Sequence, residues 1–180
     1  MNRRQLIKTT GIGMATACVA PQFGFKSQEA SGEEMTFKFC LNTSTIRGQK
    51  PGLEKYIEIA SRAGYDGVEL WIRDVKAYLD EGHSAKKLKK FISDSGLSVE
   101  SAIGFAPWLV DNDNEREAGL AQLREEMLMM GSIGCKRIAA PPAGVKGDKP
   151  LDLFQAGERY KQTLDIGRET GVMPQLEFWG

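Results

Sequence analysis

A single histidine, His83, is the first scarcity in this 180-residue chain, and it leaves no room for a histidine-rich metal cluster. Cysteine is scarce too, at three residues, and Cys18, Cys40 and Cys135 show none of the CxxC or Cys/His spacing of a zinc site. Charge of one sign is not in excess, since 24 basic residues balance 24 acidic ones, which argues against a polyanionic partner such as nucleic acid. The densest basic run, Lys86, Lys87, Lys89 and Lys90, spreads around a helix beside Leu88, Phe91 and Ile92 and reads as a solvated face. Neither a GxGxxG nor a P-loop occurs, so the main phosphate-binding signatures of open α/β sheets are missing. The mildly apolar run from Gly11 to Ala20 is far short of the roughly 20 residues a membrane-spanning helix takes.

The amino terminus reads as targeting sequence. Asn2-Arg3-Arg4-Gln5-Leu6-Ile7-Lys8 resembles a twin-arginine export signal, with Asn2 where Ser or Thr is usual. Residues 1–30 are therefore assigned to a signal peptide and the start of a linker, 31–35 to linker, and 36–180 to the folded domain. The expected location is periplasmic. Ala15-Thr16-Ala17-Cys18 is a weak lipoprotein site, so lipid anchoring at Cys18 is a secondary reading. Cys40 and Cys135 are expected to be buried free thiols.

Along the domain, strands and helices alternate. Thr36–Asn42 alternates Phe37, Phe39 and Leu41 with Lys38, Cys40 and Asn42, a strand signal. Pro51 opens a helix with Leu53, Tyr56, Ile57 and Ala60 on one stripe, and Tyr65–Trp71 is a second strand. Ser84 caps a helix over Ala85–Ser95, Leu97–Ile103 is the third strand, and Gly104–Asn112 is a loop. Asn112 with Glu115 starts a third helix, whose core side holds Leu120, Leu123, Met127 and Met130. Lys136–Pro141 is a fourth strand. A fourth helix opens at Asp152 with Phe154, Tyr160 and Leu164 on its apolar side, and Gly171 leads into a fifth strand.

Each helix runs into a glycine and then a strand, at Gly64, Gly96, Gly134 and Gly171, 32, 38 and 37 residues apart by subtraction. Such repetition implies right-handed crossovers and a parallel sheet. The choice is between a doubly wound sheet and a (β/α)8 barrel. Without a Gly-rich phosphate loop, and with Glu69 and Glu177 set in apolar strands, the barrel is favoured, because barrel sites gather residues at the carboxyl ends of several strands. The expected fold is an incomplete TIM barrel of five parallel strands and four helices. An unpaired buried carboxylate is costly, so Glu177 calls for a cation or a wet cavity.

The segments Ala63-Gly64-Tyr65-Asp66-Gly67-Val68-Glu69-Leu70-Trp71, Ser95-Gly96-Leu97-Ser98-Val99-Glu100-Ser101, Gly134-Cys135-Lys136-Arg137-Ile138 and Leu176-Glu177-Phe178 resemble the xylose isomerase-like barrels of sugar phosphate isomerases and epimerases. The resemblance covers about Phe37 to Gly180 and implies divalent-metal-dependent proton transfer beside a sugar carbonyl. It gives Glu177 two roles, ligand of a divalent metal (Mn, Mg, Co or Zn) and acid/base group. The family's other ligands, an Asp, a His and a Glu, come from later strands, so the resemblance implies that this chain ends after strand five and is inactive by itself. The substrate would be a small sugar or polyol, with contacts from Glu69, Trp71, Trp108 and Asn42. Glu69 reads equally as a buried acid paired with Lys or Arg, and the two tryptophans equally as packing residues or as sugar-stacking platforms. Departures from the family include Ile103 and the Pro141-Pro142 pair, where relatives often carry histidines. His83 reads as a surface residue and Glu100 as structural. A non-catalytic sugar-binding half-barrel or a decayed gene product is the alternative. Homo-oligomerisation is left open.

Overall fold

The computed structural model describes residues 37–145, 147 and 150–178. Residues 1–36, on which the signal-peptide and linker expectations fall, and residues 146, 148, 149, 179 and 180 lie outside the described residues. Five strands form one sheet: β1 (Cys40–Asn42), β2 (Gly67–Trp71), β3 (Ser98–Ile103), β4 (Arg137–Ala140) and β5 (Met173–Leu176). They lie side by side in chain order, β1-β2-β3-β4-β5, and every neighbouring pair is parallel. A doubly wound sheet reverses its strand order at a switch point. Here the order never reverses, so the sheet winds in one direction, as a barrel wall does.

Five helices connect the strands: α1 (Leu53–Arg62), α2 (Ile72–Asp80), α3 (Ala85–Asp94), α4 (Asp113–Ser132) and α5 (Leu153–Thr170). They bury one face of the sheet. Val68, Leu70, Ala102 and Ile138 are fully buried, together with Ile57, Ala60, Val75, Leu88, Met127 and Met130 from the helices. Side chains of the alternate strand positions, including Glu69, Ser101, Arg137 and Gln175, remain at least partly exposed. Parallel sheets ordinarily have both faces covered. Among the described residues this one has a dry outer face and an open, polar inner face.

Local signals explain the helix ends. Asn42, Ser84, Asn112 and Asp152 each accept a backbone N–H from the first turn of the helix that follows, the short 3₁₀ turn Thr43–Gln49 in the case of Asn42. Gly64, Gly96, Gly134 and Gly171 all adopt positive φ, from 73° to 94°, where a side chain would be strained. This left-handed turn is what redirects each helix into the next strand.

Several expectations need correction. Between β2 and α3 lies a helix, α2, which the sequence reading left without an element. Strand β1 starts only at Cys40, and Phe37 and Phe39 are exposed. Phe154 is 91% exposed and does not belong to the buried side of α5. That helix instead buries Arg159, Thr163, Ile166 and Gly167, so much of its inner stripe is polar. Arg159 donates to the Leu109 carbonyl (2.6 Å) and to Asp111 Oδ1 (2.9 Å), which satisfies its buried guanidinium. Cys40 and Cys135 are both free, and Cys135 is buried as expected, whereas Cys40 is exposed. The four lysines of α3 are exposed, as is His83 beside Glu81.

Glu126 on α4 carries a stored electrostatic cost. One carboxylate oxygen accepts from Gln122 Nε2 at 2.7 Å, while Oε2 is buried without a hydrogen-bond partner among the described residues. Gly104 makes room for it, since a Cβ there would stand 2.8 Å from Oε2. Burial pushes the carboxyl above its ordinary value and Glu125 adds to this, against the Gln122 hydrogen bond and the Lys76 charge. The folded state therefore holds the proton more tightly than the unfolded state. This contribution is present below the ordinary carboxyl range and is lost as pH rises through the folded value. Glu126→Met is expected to stabilise the fold by about 1–3 kcal/mol at pH 8, with the gain shrinking toward pH 4, as checked by urea melts at both pH values.

Candidate functional site

The inner face of the sheet forms a polar groove of about 330 Å³ lined by residues of all five strands or their bulges, among them Asn42, Glu69, Ser101, Arg137 and Gln175. The register explains the gathering. Asn42 pairs with Glu69 and Glu69 with Ser101, so their side chains share one face. Between Val68 and Glu69 the register against β3 shifts by one residue, which leaves Glu100 as the extra residue of a β-bulge. Glu100 turns to neighbouring strand groups: it accepts from Ser98 Oγ at 2.5 Å and from Arg137 at 3.2 Å. Glu100 also lines the groove.

At the carboxyl end of β1 and β2 a hydrogen-bond chain is completed. Trp71 Nε1 donates to Asn42 Oδ1 (3.1 Å), and Asn42 Nδ2 donates to Glu69 Oε2 (2.6 Å). Asn42 Oδ1 also accepts from the Ser44 N–H at 2.9 Å, so its amide orientation is fixed from two sides. Glu69 is thus held by a neutral amide, and no Lys or Arg pairs with it in an ion bridge among the described residues. One of its oxygens remains free to accept from a ligand hydroxyl. Trp71 is also in contact with Phe105, their ring centroids 5.5 Å apart.

Glu177 follows directly after β5 and, by alternation, shares a face with Gln175 of the groove. Its Oε2 is buried and has no hydrogen-bond partner among the described residues. A carboxylate oxygen left so is costly without a counter-charge. Trp108 lies elsewhere. It is 2% exposed, donates from Nε1 to the Pro141 carbonyl at 2.9 Å, and packs on Tyr160 with centroids 5.5 Å apart. No ring face of Trp108 is open to a ligand in this arrangement. The structure therefore unites Asn42, Glu69 and Trp71, leaves Glu177 just beyond the end of β5 and outside the residues lining the groove, and keeps Trp108 apart.

Arg137 and Gln175 were not anticipated as groove residues. Their parity within β4 and β5 was a usable signal only once the strand limits were known, and the bulge at Glu100 upset the parity of β3. The Cys40 thiol also lines the groove. It is pushed up to about 11, first by partial burial and then by Glu69 and Glu100, with a further contribution from Cys135. It is therefore a protonated thiol at neutral pH and a poor nucleophile.

A divalent metal would find one ready ligand oxygen, the orphaned Glu177 Oε2. It would not find a full set, because the described residues hold no group of three or more His, Cys, Asp or Glu placed to bind a metal ion. Mg or Mn takes about six ligands, mostly oxygen. The described residues thus fit one corner of a metal site and not a whole one.

The family signature of the xylose isomerase-like TIM barrel matches residues 57–180. The chain belongs to the xylose isomerase-like TIM barrel family. Among solved structures it is similar to the IolI protein with a bound zinc atom, at 19% identity and a TM-score of 0.68, over 80% of this chain and 52% of that one. It is similar to D-psicose 3-epimerase solved in the presence of D-fructose, at 15% identity and a TM-score of 0.59, over 77% of this chain and 51% of that one. A third relative in structure is the probable 3-DHS dehydratase AsbF of Bacillus anthracis, at 13% identity and a TM-score of 0.63, over 78% and 52% of the respective chains. The chain thus spans about half the length of these structures. Among curated proteins no sequence matches it significantly. The five-stranded parallel sheet with its helices is that of a partial TIM barrel, and no described helix is long and apolar enough to cross a membrane.

Proposed function

We propose that this chain is the amino-terminal part of a sugar isomerase or epimerase in which Glu177 moves a proton to and from the carbon beside the sugar carbonyl. The observation that carries the reading is the buried, unpartnered Oε2 of Glu177 at the carboxyl end of β5, in a chain of this family. A divalent metal (Mn, Mg, Co or Zn), when bound, supplies electrostatic stabilisation to the oxygen on which negative charge develops. The chain's own residues do the rest. Glu177 takes the proton from carbon as a carboxylate and returns it as the acid. Glu69, held by Asn42, accepts a hydrogen bond from a sugar hydroxyl, and Trp71 fixes Asn42 in turn. The remaining metal ligands would be supplied by strands these 180 residues do not contain, so residues 35–180 alone are expected to be marginally stable and to show no turnover.

The Arg3-Arg4 motif supports export to the periplasm by the twin-arginine route, and with it a free sugar or polyol as substrate. A second reading, a non-catalytic sugar-binding half-barrel, draws on the open inner face of the sheet and on the lack of a described three-residue metal cluster. Solvent exchange separates the two. A panel of ketoses and aldoses incubated in D₂O with Mn should exchange one carbon-bound proton when the gene product, with any residues encoded beyond Gly180, is present. Exchange that survives chelation, or metal-dependent isomerase activity from residues 35–180 alone, would count against the first reading in its present form. Sugar binding without any exchange favours the second.

A further inference from the structure

The rim of the groove carries a feature that neither Glu177 nor Glu69 explains. Two guanidinium groups are gathered on one indole: Arg47 Cζ and Arg73 Cζ each lie 4.7 Å from the Trp71 ring centroid. Arg47 comes from the 3₁₀ turn Thr43–Gln49 that follows β1, and Arg73 from the first turn of α2, so both elements at the carboxyl ends of β1 and β2 deliver a cation to the same place. Two like charges on one ring repel one another, and the aromatic face offsets only part of the cost. Arg73 has a partial counter-charge in Asp74, at 3.3 Å from Nε. Arg47 has no carboxylate partner among the described residues.

The two arginines also line a common cavity of about 390 Å³, shared with Lys50, Asp74, Tyr78 and Glu81. Three cations there face two carboxylates, leaving a net positive charge. Lys50 is held in the left-handed backbone region at φ 50°, the only described non-glycine residue with positive φ. Such strain costs about 1 kcal/mol or more and is often found at ligand clamps. The indole on which both arginines lie is itself hydrogen-bonded to Asn42, which holds Glu69 of the groove.

We infer that Arg47 and Arg73, with Lys50 beside them, form a binding subsite for an oxyanion, a phosphate or carboxylate carried on the substrate. Guanidinium forks match the geometry of these groups, and charge-assisted hydrogen bonds of this kind are about twice as strong as neutral ones. The placement of the anion on a sugar rests on the proposed function, whereas the oxyanion site itself does not. The subsite would make an acidic sugar the preferred ligand over the free sugar or polyol that export alone suggests.

The test is a calorimetric titration of the full 180-residue chain with inorganic phosphate, glucose 6-phosphate, glucuronate and glucose at low ionic strength. At least one of the two acidic sugars is expected to bind about tenfold or more tightly than glucose, and that preference to fade with added salt. Preference for the phosphate ester over glucuronate, or the reverse, identifies the anion. The R47Q/R73Q variant should abolish phosphate binding and level the sugars, while R47K/R73K, which keeps charge and loses the fork, should retain part of both. Circular dichroism checks that each variant is folded. Phosphate binding that R47Q/R73Q leaves unchanged, or no phosphate binding by the wild type at about 10 mM, overturns the proposal and leaves the arginines as packing for Trp71. Phosphate binding that depends on the arginines, without binding of any sugar, upholds the subsite and counts against the sugar reading.

Discussion

Trp108→Ala is expected to lower stability by about 3–5 kcal/mol, the largest effect of any single change in the loop that joins β3 to α4. The reason is the number of elements the indole ties together. Trp108, Leu109 and Ala140 form a small second core, with Leu120, Ala156 and Tyr160 packed against it. The Nε1–H donates to the Pro141 carbonyl at 2.9 Å, which anchors the loop to the end of β4. Truncation removes the ring from α5 and leaves a buried carbonyl without its donor. Trp108→Phe keeps much of the ring and loses only the hydrogen bond, so it should cost about 1–3 kcal/mol. Urea denaturation of both variants measures these losses as shifts of the midpoint. If Trp108→Ala left the midpoint in place and weakened sugar binding instead, the residue would be a ligand platform after all.

Trp108 also marks the boundary of what the sequence made legible. An aromatic residue in a loop after a strand has two physically sound readings, and only its partners decide between them. Trp71 had the same two readings, and its indole stands with two guanidinium groups instead of inside the second core. The fold was legible because its signals are local. Alternation in β2, the caps at Ser84, Asn112 and Asp152, and the repeated junction glycines each depend on a few neighbouring residues. Helix α2 escaped because it carries no such mark: Trp71 passes straight from strand to helix without a side-chain cap. Phe154 misled for the opposite reason. Its apolar side chain suggested a buried first turn, yet α5 turns Arg159 and Thr163 inward, where their hydrogen bonds are met by Leu109, Asp111 and Tyr160. In the site, Glu177 and Glu69 were visible as acids within apolar strands. Arg137 came into view only through the register, and the Arg47 and Arg73 pair only through the meeting of a 3₁₀ turn and a helix start on one ring.

Glu177→Gln carries the second large expectation. In a preparation of the gene product that exchanges the sugar's carbon-bound proton with D₂O, the substitution should slow exchange about 10²–10⁴-fold, the range that a positioned general acid/base contributes. The amide keeps the size of the side chain but cannot accept a proton, so loss of fold is not the expected cause. Stability should in fact stay about level, because Oε2 already is a buried polar atom without a partner among the described residues. Glu177→Asp distinguishes position from charge: it keeps the carboxylate and withdraws it by one methylene, so it should retain more exchange than Gln. Glu69→Gln serves as the comparison, since Asn42 can still fix its side chain and the loss should fall mainly on KM. Equal effects of Glu177→Gln and Glu69→Gln on turnover would remove the reason to single out Glu177. Full exchange activity in Glu177→Gln would assign the proton transfer to another group and leave Glu177 a structural or ligand-holding carboxylate.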